Sequence, residues 1–86
     1  MSEKLKQAYK DLCIKSNIYD KYCPNGPSVD CDERMAYLHA SFETFLYLRD
    51  YLGCHHNDVI LAQKAVCSSF ESYTDHYIID IVKKYV

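Results

Sequence analysis

Helix-breaking residues occur at only two places in this chain. Pro24, Gly26 and Pro27 sit together in "CPNGPSVD", and Gly53 stands in "LGCHHND"; there is no other glycine or proline. So few interruptions favour long helices, because an all-β chain of this size needs many more turns. The breaks divide 86 residues into three segments of helical periodicity.

The first segment runs from Ser2 to about Tyr22. Leu5, Ala8, Tyr9, Leu12, Ser16, Tyr19 and Cys23 fall on one arc at 100° per residue, which is the pattern of an amphipathic helix. Ser2 suits its N-cap. Ile14 and Ile18 lie on the opposite side as a small apolar pair.

"CPNGPSVD" reads as a turn, with Pro24 at its second position and Gly26 at its fourth. Asp30 and Glu33 then have capping-box spacing. The second segment, Cys31 to Leu52, carries its largest apolar side chains at Cys31, Met35, Leu38, Phe42, Phe45, Leu46 and Leu52. That stripe is the expected core face. Asp32, His39, Glu43 and Asp50 form a narrow band expected to face solvent. The remaining side carries Tyr37, Ala40, Thr44, Tyr47, Leu48 and Tyr51, so the helix has a second semi-apolar face.

Gly53 follows the last periodic residue, where helices commonly end in the left-handed conformation. Asn57 or Asp58 suits the next N-cap. The short link between them makes the two helices antiparallel neighbours. The third segment shows Val59, Ala62, Val66, Phe70, Tyr73 and Tyr77 on one stripe, then an arc that rotates to Ile78, Ile81, Val82 and Tyr85. Ser68, Ser69, Ser72 and Thr74 are weak helix formers where it turns. The expected fold is therefore all-α: one domain, residues 1–86, forming a small antiparallel three-helix bundle. Its third helix bends or splits near residues 68–75, and a split makes four helices.

Charge narrows function. Ten Lys and Arg oppose twelve Asp and Glu, for a net of −2, and no third of the chain is strongly basic. A nucleic-acid partner is not expected on that balance. The polar start "MSEKLKQAYK" does not read as a signal peptide, and no apolar run approaches a membrane span. The expectation is a cytoplasmic or nuclear protein without a membrane partner. Five cysteines at irregular spacing are then expected to be reduced, with Cys13, Cys31 and Cys67 as small buried hydrophobes and Cys54 accessible.

Cys54, His55 and His56 have the residue types of a metal or thiol site. Adjacent side chains do not converge easily on one tetrahedral ion, and zinc patterns draw spaced pairs from two places. No metal or cofactor is expected. These three residues carry the alternative reading, a metal- or redox-responsive small protein. No glycine-rich phosphate loop or Ser-His-Asp spacing is present, and the chain reads as non-enzymatic.

Nine tyrosines, with no tryptophan, are the remaining clue. Tyrosine joins an apolar ring to a polar tip and is enriched at interfaces. Tyr37, Ala40, Thr44, Tyr47, Leu48 and Tyr51, with Ile14 and Ile18, are accordingly expected to form an interaction surface. The expected function is a helical protein–protein interaction module, such as an adaptor, complex subunit or viral or phage-type inhibitor. Its partner is another protein, a second copy of the chain, or both.

Overall fold

Two long helices come first, each as the periodicity requires. In the computed structural model, which describes residues 3–22, 32–71 and 77–86, α1 spans Glu3–Tyr22 and α2 spans Asp32–Leu52. Glu3 in the first turn and Lys21 in the last suit the α1 dipole. The helices α3, Asn57–Glu71, and α4, Tyr77–Val82, follow, and a 3₁₀ turn covers Lys83–Tyr85. The protein is a small all-α bundle with four α-helices among the described residues. The third segment is thus divided, as its rotating arc suggested. The Pro24–Pro27 turn, the Ser2 and Asp30 caps, Cys23, Cys31 and residues 72–76 lie outside the described residues.

The helix α2 is the centre of the bundle and packs against α1, α3 and α4. It runs antiparallel to α1. Near one end of the pair the Thr44 hydroxyl lies 3.3 Å from the Ala8 carbonyl, and near the other the Tyr19 and Tyr37 rings stack with centroids 5.5 Å apart. The short α4 rests against α1, α2 and α3. Six residues are too few for a stable isolated helix. Packing holds α4 in place, with Ile78 and Val82 completely buried. The core comprises Leu5, Leu12 and Tyr19 of α1, Val59, Ala62 and Val66 of α3, those two residues of α4, and one side of α2.

That side of α2 is not the one its large apolar residues predicted. Tyr37, Ala40, Thr44 and Leu48 are in the core, so they cannot belong to an interaction surface. Conversely Met35 is 42% exposed and Phe42 48%. Among the described residues of the expected stripe only Leu38 and Phe45 are buried, with Leu46 and Leu52 half-buried.

The physical reason is how closely α1 can approach. Ala40, Ser41 and Thr44 are small. The Ser41 hydroxyl donates to the Tyr37 carbonyl at 3.0 Å, and the Thr44 hydroxyl to the Ala40 carbonyl at 2.7 Å. Each hydroxyl is satisfied within its own helix and can be buried without an orphaned donor. The result is a shallow side on which the Leu5, Leu12 and Tyr19 side of α1 seats.

Candidate interaction surface

The exposed arc of α2 is built at alternating three- and four-residue spacing. Asp32, Met35, His39, Phe42, Leu46 and Arg49 fall within about 100° of the helix circumference. Five are exposed and Leu46 is half-buried. Met35, Leu38, His39 and Phe42 line a hollow of about 270 Å³. Phe42 and the buried Phe45 are tilted neighbours with centroids 6.4 Å apart. The Arg49 guanidinium carbon lies 5.9 Å from the Phe45 ring centre, within cation–π range. The arc therefore reads acid, Met, His, Phe, Leu, base along α2. Asp32, His39, Glu43 and Asp50 are all exposed, as their band predicted.

The other expected surface residues are scattered. Tyr47 is half-buried at the margin of the core on the same side of α2 as the buried Tyr37, and Tyr51, on that side at the end of the helix, is exposed and meets the Tyr85 ring. Ile14 and Ile18 are exposed on α1. Two further hollows lie between helices. One of about 400 Å³, between α3 and α4, is lined by Leu61, Lys64, Ala65, Ser68, Asp80 and Ile81. Another of about 360 Å³, between α1 and α4, is lined by Cys13, Ser16, Asn17, Asp20 and Ile79. Nearby, burial pushes the Tyr9 hydroxyl above the usual tyrosine value, helped by its hydrogen bond to Cys13 and by the Asp80 charge.

The Cys54–Asp58 stretch is a helix junction. Gly53 adopts φ +94° and donates its N–H to the Arg49 carbonyl at 2.8 Å, closing α2 as expected. The N-cap of α3 is His56, correcting the assignment to Asn57 or Asp58. The His56 carbonyl accepts from the N–H of Val59 at 3.0 Å and of Ile60 at 3.1 Å, and its Nδ1 accepts from the Asp58 N–H at 3.1 Å. An imidazole nitrogen here does what a cap oxygen usually does.

Asp58 is consequently free to hold the far end of the chain. Tyr85 donates a hydrogen bond to Asp58 Oδ2, and Lys84 Nζ lies 3.5 Å from Oδ1. The Tyr85 ring meets Tyr51 and His56 edge-on, with both centroid separations 6.3 Å. The Tyr85 hydrogen bond holds the Asp58 carboxyl below its ordinary 3.8, outweighing desolvation, and the Lys84 charge adds to the lowering. The same hydrogen bond, followed by desolvation and the Asp58 charge, raises the Tyr85 hydroxyl above its ordinary 10.0.

Among the described residues no three His, Cys, Asp or Glu side chains are placed to hold a metal ion. Cys54 and His55 are exposed on the turn, while His56 Nδ1 is engaged in the cap. Cys13, Cys54 and Cys67 are free thiols; Cys67 is exposed and Cys13 half-buried, not core residues as expected. Among the described residues no helix is long and apolar enough to cross a membrane. No protein family, characterised protein or solved structure matches the chain.

Proposed function

We propose that the protein is a non-enzymatic helical interaction module that binds protein through the outer arc of α2, centred on Met35, His39 and Phe42. The observation that carries this reading is the exposure of Met35 and Phe42 on adjacent turns of one rigid helix, around an apolar hollow. Large apolar side chains gathered in one patch and bordered by charge are the usual mark of a contact surface, whereas scattered ones are not. Ile60 and Leu61 on α3 are also exposed, and Leu61 lines the separate hollow between α3 and α4.

A helix is a suitable platform because its side chains are positioned by backbone that the core already holds. Leu38 and Phe45 anchor the arc from beneath, and Asp32 and Arg49 terminate it with opposite charges. Binding at such a patch rests on a few apolar anchors in a water-excluding rim. Met35 and Phe42 are those anchors here.

The test is a pair of substitutions on the exposed side, Met35→Glu with Phe42→Glu. The variant should keep the wild-type circular dichroism and melting temperature. It should also lose whatever protein the immobilised wild-type chain retains from an extract of the cells that make it. Equal retention by a folded double variant would rule the surface out.

A further inference from the structure

Building on that reading of the α2 arc, we infer that its occupant is a second copy of the chain, paired antiparallel about a twofold axis that crosses α2 midway between Ala40 and Ser41. The order of side chains along the arc is what selects this arrangement. Asp32, Met35, His39, Phe42, Leu46 and Arg49 alternate spacings of three and four, as a helix seam requires. Reversing the arc about that midpoint superimposes its spacing on itself. Asp32 then faces Arg49 of the second copy, Met35 faces its Leu46, and His39 faces its Phe42. Every position finds a suitable counterpart, and a twofold contact repeats each pairing on both sides.

Charge decides the direction. A parallel pair would set Asp32 against Asp32 and Arg49 against Arg49, whereas the antiparallel pair gives two opposite-charge contacts at the ends of an apolar middle. Among the described residues neither Asp32 nor Arg49 is held in an ion pair within its own chain, so both are available. Arg49 already lies over the Phe45 ring. The acid of the second copy would meet its guanidinium on the open side. The net charge of −2 per chain adds little repulsion between copies.

The seam from Asp32 to Arg49 is about 26 Å long at 1.5 Å per residue. One helix seam of that length falls at the small end of specific interfaces, so pairing depends on concentration, with dissociation in roughly the micromolar to sub-millimolar range.

Sedimentation equilibrium of the purified chain from about 10 µM to about 1 mM tests this range. Wild type should pass from monomer to dimer. Asp32→Arg and Arg49→Asp should each weaken pairing on the order of tenfold, since each sets like charges together twice. An equimolar mixture of the two variants should recover wild-type affinity as a heterodimer, because one chain then presents two bases and the other two acids. Phe42→Glu should remain monomeric. Should a charge reversal disturb the fold, seen by circular dichroism, Asp32→Asn and Arg49→Gln should each weaken pairing by a smaller factor, and their mixture should fall between the single variants and wild type. A wild type that is monomeric throughout, single variants that pair like wild type, or a mixture that fails to recover would each overturn the inference. A monomeric wild type whose Met35→Glu/Phe42→Glu variant loses a foreign protein would overturn the self-pairing alone and leave the proposed function standing.

Discussion

The two long sides of α2 hold similar apolar material and have opposite fates. The inner side presents Tyr37, Ala40, Ser41, Thr44 and Leu48, mixed in polarity and small at its middle, and it is the buried one. The outer side presents Met35 and Phe42, which are larger than the Ala40, Ser41 and Thr44 at the middle of the inner side, and it is exposed. Burial in a helical bundle follows the fit of one helix against its neighbour as much as the hydrophobicity of either. A side that lets α1 come close, with its hydroxyls satisfied internally, prevails over a side of bulky residues.

The sharpest way to break that contrast is to truncate one large residue on each side. Leu48→Ala leaves a cavity in the core and should cost about 2–5 kcal/mol, comparable with the whole stability of a domain this small. Phe42→Ala, at a ring that is 48% exposed, should cost monomer stability no more than about 1 kcal/mol. Urea unfolding at low concentration, read by circular dichroism, measures both. Equal losses would show that the assignment of inner and outer sides is wrong.

A smaller change probes why the inner side is buried. Thr44→Val keeps the shape but removes the hydroxyl that reaches the Ala40 and Ala8 carbonyls. Loss of that hydrogen bonding should destabilise the fold by about 1 kcal/mol. No loss at all would mean that shape alone seats α1. At the end of α2, Gly53→Ala should cost about 1 kcal/mol for placing a side chain at positive φ, since the added Cβ meets nothing within 4 Å. A melting temperature equal to wild type would contradict the left-handed C-cap.

The smallest effect concerns the tie that holds the end of α4 across the bundle. Asp58 releases its proton more readily folded than unfolded. Its contribution is therefore complete above the unfolded 3.8 and disappears as pH falls through the lowered folded value. Tyr85 retains its proton more firmly when folded. Its share is complete below the unfolded 10.0 and disappears as pH rises through the raised value. Asp58→Asn should abolish the acid-side component. The check is the difference between wild-type and variant melting temperatures below pH 3.8 and at pH 7. A difference that does not shrink at low pH would mean that Asp58 carries no folding-linked proton.

Helix positions were legible from the sequence; the facing of α2 was not. The ends of α2 and α3 lie where Gly53 and the start of the next apolar period place them, because a positive-φ residue leaves few alternatives. Periodicity ranks residues by their hydrophobicity, so it favoured Met35 and Phe42 over Ala40 and Thr44. The available signal was the run of small and hydroxyl residues at Ala40, Ser41 and Thr44, which marks a place where helices can approach closely. Arg34 is buried with no comparable sign in its neighbours. His56 as a cap has no sequence signal of its own, because the usual caps carry oxygen. The excess of tyrosine serves the core as well as the surface: Tyr19 and Tyr37 stack in the core, and Tyr9, Tyr47 and Tyr85 are half-buried against it.

The placement of α4 bears on how the chain matures during synthesis. The segment from Ile78 to Val82 is made after α1, α2 and α3, yet it lies against all three. The nascent polypeptide emerges with α1 and α2 able to dock locally, but it has no cover for the space that those last apolar residues occupy. Completion of the fold must wait until they have left the ribosome, and a translation product stalled before Ile78 would present uncovered apolar surface to chaperones and proteases.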